Sequence, residues 1–220
     1  MVTTAFFLAI IIGTVLGIIA AQKPKSFVNH VVTVLSLSGF SAPIFWTGLM
    51  LLIAFAYLLP IFPAFGMSTP GFQGTALEVM FDVLKHLVLP AVTLASVYIA
   101  VYSRLARASM LDVLGSDYIR TARSKGLPEH IVNYRHVARI ALIPILTLIG
   151  FSLSGLLGGA FIVELIFGIP GVGRFALDAL FARDFPVIMA IALIGAASLV
   201  IANLIVDILY SVVDPRIRYQ

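Results

Sequence analysis

The 220-residue chain has no cysteine and little charge: 11% of its residues are Asp, Glu, Lys or Arg, against about 25% in soluble domains. Without cysteine there is no disulfide framework, thiol nucleophile or thiolate metal site. No stretch reads G-x-x-x-x-G-K-[ST], so the chain has no phosphate-cradling loop of its own and cannot hydrolyse ATP by that route. The four histidines, His30, His86, His130 and His136, show no H-E-x-x-H spacing, and no two share a helical face with a carboxylate. They read as interface or loop residues, and neither a metal ligand set nor a cofactor is expected. The first twenty-one residues lack a basic n-region, so a membrane span is expected there in preference to a cleaved signal peptide.

What is present is apolar. Hydrophobic residues make up 61% of the chain and the mean hydropathy is +1.11. This composition predicts an all-α integral membrane protein, one transmembrane domain over residues 1–220 with no room for a separate soluble enzyme. Given that roughly 20 apolar residues cross the hydrocarbon core, five spans are expected: Met1 to Ala21, Phe40 to Leu59, His86 to Ser103, Ile140 to Val163 and Phe185 to Val206. Gly13 and Gly17 would let another helix approach the first span closely, and Gly150, Gly155, Gly158 and Gly159 would give the fourth a thin face. Pro43 falls where a helix start tolerates proline. Residues 60–74 and 164–184, rich in proline and glycine, read as loops.

Charge sets the expected orientation. Lys23, Lys25, Arg104, Arg107, Arg120, Arg123, Lys125, Arg135, Arg139, Arg216 and Arg218 fall in one set of loops, eleven of the fourteen basic residues; Lys85, Arg174 and Arg183 fall in the other. The positive-inside rule places the first set, and with it the carboxyl terminus, in the cytoplasm. Basic loops beside an anionic leaflet account for the net charge of +4 without a nucleic-acid partner.

The longest polar interval is residues 115–144. Ser116 or Asp117 can cap a helix, Gly126 can adopt the left-handed conformation that ends one, and Pro128 suits the first turn of the next. The spacing predicts a helix over 117–125 with Tyr118, Ile119 and Ala122 on one arc and Arg120 and Arg123 opposite. In the following helix Ile131, Tyr134 and Ala138 form an apolar stripe. The result is a lever projecting from a membrane domain.

The run Asp117-Tyr118-Ile119-Arg120-Thr121-Ala122-Arg123-Ser124-Lys125-Gly126-Leu127, followed by Arg135-His136 and Leu142-Ile143-Pro144, resembles the cytoplasmic coupling motif of ABC importer permeases in the dipeptide, oligopeptide and nickel subfamily. Arg120-Thr121-Ala122 stand where the wider superfamily has Glu-Ala-Ala, and Ile140 replaces an expected polar residue. The tail Asp214-Pro215-Arg216-Ile217-Arg218 matches the subfamily's carboxyl-terminal signature. The resemblance implies a type I importer permease in a bacterial inner membrane, forming half of a path for peptides or nickel-type substrates. It implies two ABC ATPase subunits, a second homologous permease and an external substrate-binding protein as partners. Tyr118, Arg120, Thr121, Ala122, Lys125, Gly126, Leu127 and Pro128 become the expected ATPase-coupling residues, and His136 is assigned a structural role. Such permeases carry a further amino-terminal helix, which this chain is expected to lack.

Gly171-Val172-Gly173-Arg174-Phe175-Ala176 matches the dinucleotide pattern as text, but that pattern needs a preceding strand, so a loop turn is expected. Ser152 and Ser154 raise an intramembrane hydrolase, which lacks a base in any expected span interior. Glu164 and Asp207 are placed at span ends, within reach of water. The remaining alternative, a secondary transporter or channel subunit, calls for mid-bilayer charges or broken helices.

Overall fold

The computed structural model describes residues 1–22 and 26–213, and the described chain is helical apart from its turns and loops. Expectations resting on Lys23, Lys25 and the run from Asp214 to Arg218 lie outside the described residues. So do those resting on the side chains of His130, Tyr134, Arg135, Ser152, Ser154 and Asp207, and on the glycine face from Gly150 to Gly159.

Helix α1 (Val2–Gln22) carries no charge, and its 21 residues suffice to cross a bilayer. Helix α2 (Phe27–Ser41) is separated from α3 (Ile44–Leu52), which continues as a π-helical turn over Ile53–Leu58. The break lies at Pro43, whose extended backbone (φ −59°, ψ 135°) forms the N-cap of α3. Proline also disfavours helical geometry in the residue before it. The expected second span, Phe40 to Leu59, is therefore interrupted: its first two residues end α2, which is otherwise built from residues assigned to no span, and its continuous helix starts at Ile44.

Helix α4 (Ala76–Leu114) runs for 39 residues through Pro90, about twice the length a crossing needs. Arg104 and Arg107, expected in a loop, belong to it. His86, expected at an interface or in a loop, is buried inside it, with Nδ1 2.8 Å from the Asp82 carbonyl. Next come α5 (Asp117–Ser124), α6 (Glu129–Ile131), a π-helical turn (Val132–Val137) and α7 (Ala138–Ala141). Helices α8 (Ile143–Phe167), α9 (Val172–Ala182) and α10 (Phe185–Val213) complete the chain. The loop expected over 164–184 thus contains a helix. Among the described residues, two helices are long and apolar enough to cross a membrane, or up to four if each broken pair counts as one span.

The helices form two compact units. In the first (Met1–Phe6, Ala42–Ala95 and Leu153–Asn203), α3 packs where Gly48 faces Thr93 and the side chains of Ile166 and Phe167. The Gly66 N–H donates to the Phe167 carbonyl at 2.9 Å, which holds the long loop. In the second (Phe7–Ser41, Ser96–Ser152 and Leu204–Gln220), α1 lies against the carboxyl half of α4. A Cβ on Gly13 would come 2.7 Å from Tyr102 Cβ, and one on Gly17 would come 2.4 Å from the Ser103 carbonyl oxygen. The expected helix-packing role of this pair is what the structure shows, since only hydrogen side chains let the two backbones come so close. Polar groups tie α2 to α4 in the same unit: Ser36 and Ser103 hydroxyls lie 3.0 Å apart, and Arg107 Nε donates to Asn29 Oδ1 at 2.8 Å.

Candidate functional site

The 115–144 interval folds as helix, glycine turn, helix. Ser116 is the N-cap residue of α5, through its backbone. Its carbonyl accepts from the N–H groups of Ile119 and Arg120, while its hydroxyl donates back to the Val113 carbonyl at 2.7 Å and caps nothing. At the other end the Gly126 N–H donates to the Arg123 carbonyl at 2.9 Å, and Gly126 has φ +76°. That left-handed conformation is the one expected of it, and it is strained for any residue with a Cβ. Pro128 (φ −65°, ψ 144°) stands at the N-cap of α6, one position before the expected first turn, and its carbonyl accepts from Ile131 and Val132.

One side of this element is a small core. Ile119 and Ala122 of α5 pack with Val132, Val137, Ala138 and Ala141, against Met110 of α4 and Ala21 of α1. Burying Ile119 completely contributes about 1.5–3 kcal/mol relative to exposure, enough to dock a helix too short to be stable alone. Of the described members of the expected stripe, Ala138 is buried and Ile131 is partly so, and the core of this segment also takes in Val132, Val137 and Ala141. The π turn is the cause: its wider loop brings residues five apart into register, and Val132 and Val137 replace a 3.6-residue repeat.

The eight predicted coupling residues divide between the two sides. Tyr118, Arg120, Thr121, Lys125, Gly126 and Pro128 are exposed, whereas Ala122 is buried and Leu127 partly so. Tyr118, expected on the buried arc, is instead half exposed, and its hydroxyl lies 2.6 Å from His136 Nδ1. A phenol can keep its oxygen wet while its ring leans on a neighbour. The bond joins α5 to the π turn and gives His136 a structural partner. A second tie was not foreseen: Arg123 donates from Nε and Nη2 to the two Glu129 carboxylate oxygens at 2.8 and 3.3 Å. It bridges the Gly126 turn. The only sequence sign of it is an acid six residues after a base, a spacing too common to single out.

A second helix–glycine–helix turn lies in the other unit, where α8 and α9 meet at 84°. Glu164, expected within reach of water, is only 7% exposed. Its carboxylate accepts from the Arg174 N–H at 3.0 Å, at the amino end of α9. Free N–H groups and the positive end of the helix dipole stabilise an anion there. The dinucleotide-like string is thus the cap of α9, preceded by a helix and not by a strand. Its two glycines make room: a Cβ on Gly171 would lie 2.2 Å from Glu164 Cδ, and one on Gly173 would lie 2.7 Å from Phe161 Cα.

Comparison with known proteins identifies the family. A family described as "Binding-protein-dependent transport system inner membrane component" matches residues 13–219. The chain is 42% identical over 212 residues to the oligopeptide transport system permease protein AppB of Bacillus subtilis, covering 96% of this chain and 66% of that protein. It is 42% identical over 234 residues to the dipeptide transport system permease protein DppB of Haemophilus influenzae, covering 98% of this chain and 68% of the relative. For DppB of Escherichia coli K12 the identity is 40% over 233 residues, covering 98% and 69%. The chain spans about two thirds of the length of these relatives. It belongs to the family of binding-protein-dependent transport system inner membrane components and is a multi-pass permease subunit, not an enzyme.

Proposed function

We propose that the chain forms half of the translocation path of an ATP-driven importer for short peptides, and that residues 117–130 are the lever through which two ABC ATPase subunits move it. A second homologous permease and an external substrate-binding protein complete the assembly, in a lipid bilayer crossed by five segments of this chain. The lever and the carboxyl terminus face the cytoplasm, by the asymmetry of the basic residues. Peptides are favoured over nickel because the similar permeases are named for dipeptides and oligopeptides.

The observation that carries this reading is the two-sided lever. Its inner side, with Ile119 and Ala122, is docked on the ends of α1 and α4. Its outer side presents Arg120, Thr121 and Lys125 to solvent. A partner pushing on the outer side therefore displaces packed helices instead of bending a loop. Contacts that differ between the two ATPase states supply the free energy for the change. A secondary transporter or channel would have no use for such an element.

Gly126→Val tests the proposal. A β-branched residue forced into left-handed geometry costs about 1–3 kcal/mol, enough to misplace α5 and leave the membrane helices folded. The variant is expected to insert and express normally, to lose ATPase in pull-down and to lose peptide uptake. Gly126→Asn, which tolerates that geometry, is expected to keep both. If the valine variant pulls down ATPase and imports peptide at wild-type level, residues 117–130 are not the coupling element.

A further inference from the structure

Two arginines of α4, both in the second unit, point in different directions. Arg107 donates from Nε to Asn29 Oδ1 at 2.8 Å, near the start of α2. Arg104, one turn earlier, is exposed, and its guanidinium carbon stands 4.3 Å over the centre of the Phe40 ring, near the end of α2. Among the described residues no carboxylate pairs with it. The packing fixes its depth. Helix α2 runs antiparallel to α4: Asn29 meets Arg107, Ser36 meets Ser103, and a Cβ on Gly39 would lie 3.3 Å from the Ser96 carbonyl oxygen and 3.6 Å from Ala100 Cβ. Arg104 therefore leans back along α4 toward the level of Ala100, as the tilt of the Cα–Cβ bond favours. On α1 that level is Gly13, where a Cβ would lie 2.9 Å from the Ile99 carbonyl oxygen. Gly13 is nine residues before the last residue of α1, Gln22, a rise of about 13 Å. That is close to the middle of a hydrocarbon core about 30 Å thick.

A cation at that depth is costly against lipid tails, and charged side chains inside a span face a bundle interior or a water-filled cavity. A phospholipid phosphate sits at the surface of the core, about 15 Å from its middle, too far away to be the partner. The anion that does pass through the membrane domain is the carboxylate of the transported peptide. We propose that Arg104, held on Phe40, lines the translocation path and binds the carboxylate of the peptide in transit. The inference rests on the proposed function, whose path it locates on this chain. The ring engages the charge, while the planar N–H fork keeps its donors for two parallel bonds to a carboxylate. Stacking also holds the side chain before the peptide arrives, which lowers the entropy cost of binding. Helix α2 then divides path from lipid. Leu37, one turn before Phe40, lies on the Arg104 flank, whereas Leu35 lies about 140° round the helix from Phe40, on an outward side with Val31; all four residues are exposed.

The test is cysteine labelling, which this cysteine-free chain permits, on the permease with its partner subunits in lipid nanodiscs without ATP. A charged methanethiosulfonate, which stays in water, is expected to modify Leu37→Cys and to leave Leu35→Cys untouched. Glycylglycine is expected to slow the Leu37→Cys reaction saturably, whereas glycylglycinamide, whose carboxylate is replaced by an uncharged amide, is not. Adding Arg104→Gln should raise the half-protecting concentration of glycylglycine by at least about 10-fold. Arg104→Lys, which keeps the charge and loses the fork, should raise it by less, and it carries the comparison if Arg104→Gln alters labelling in the absence of peptide. An unreactive Leu37→Cys would overturn the inference by showing that lipid or the second permease covers this flank, and equal reaction at both positions would overturn the division of α2 into two sides. Absence of protection, equal protection by the two peptides, or protection unchanged in both Arg104 variants would overturn the carboxylate assignment. ATPase co-purification from the same membranes is scored separately, because its failure counts against ATP-driven import and leaves the labelling result intact.

Discussion

At the α5–α6 turn Gly126 has φ +76° and nothing within 4 Å of where a Cβ would stand; at the α8–α9 turn Gly171 has an extended φ of −150° and a carboxylate in the way. The first glycine is needed for a backbone conformation, the second for space. The α8–α9 turn has a left-handed glycine of its own, Gly168 (φ +63°), so what sets that turn apart is the packed corner at Gly171. The α5–α6 turn carries an exposed surface on a small core, so its corner is open. The α8–α9 turn closes over Glu164, so its corner is packed. A glycine in a turn motif therefore does not reveal its own reason, and substitution by alanine tells the two apart.

The largest effect is expected at Gly173. An added methyl would lie 2.6 Å from Phe161 Cβ and 2.7 Å from Phe161 Cα. Backbone cannot rotate away, so Gly173→Ala must push α9 off α8, at a cost of about 1–3 kcal/mol for overpacking together with the loss of a charge-assisted hydrogen bond worth about 1.5–3 kcal/mol. At Gly171 the three atoms nearest to an added methyl all belong to the Glu164 carboxyl group, which can swing aside once the Arg174 bond is broken. The loss from Gly171→Ala should therefore match that of Glu164→Ala, and Gly171→Ala added to Glu164→Ala should cost little more. Thermal unfolding of the four detergent-solubilised proteins checks this order. Equal, additive losses from Gly171→Ala and Glu164→Ala would show that the carboxylate and the glycine do not share one cavity.

At Gly126 the same methyl touches nothing, so Gly126→Ala should cost only about 1 kcal/mol, from the conformation alone. The loss should appear as faster proteolysis between α5 and α6, not as a lower melting temperature for the whole chain. A global loss as large as that of Gly173→Ala would erase the distinction between the two turns.

How much of this was legible in the sequence follows the same division. Gly126 was readable because helix-ending glycine is a local rule, and the polar run around it stands out in an apolar chain. Gly13 and Gly17 were readable as a packing face, although not the fact that α4 is the helix packed there. Glu164 was misplaced: a carboxylate at a span end looks wet unless the chain is known to fold back over it, and the N–H it caps is ten residues away. The α2–α3 break is not legible from Pro43 alone, because a proline suits a helix start and also disfavours helix in the residue before it, and only the fold shows that both effects act here. The π turn brings Val132 and Val137, five residues apart, into a core where a 3.6-residue repeat pointed to Ile131. A single inserted residue per turn leaves no mark in composition or spacing, yet it decides which side chains face the core.

The smallest expected effect sharpens the comparison from the side of the open turn. Arg123 and Glu129 form a two-pronged ion pair, but 42% and 63% of their side chains are exposed, so water and salt compete for both charges. Such pairs couple by about 0.2–1 kcal/mol, with the two-pronged geometry favouring the upper part of that range. The buried Glu164 is shielded from salt in a way this pair is not. A double-mutant cycle of Arg123→Ala and Glu129→Ala, read by protease susceptibility of the α5–α6 segment, should give a coupling of that size in about 0.05 M salt. In about 1 M salt, where the screening length is roughly 3 Å, it should fall toward zero. The loss from Glu164→Ala should change little over the same interval. A coupling above about 2 kcal/mol that persists at high salt would mean that the pair is desolvated as Glu164 is, and that the α5–α6 corner is a packed joint and not an open one.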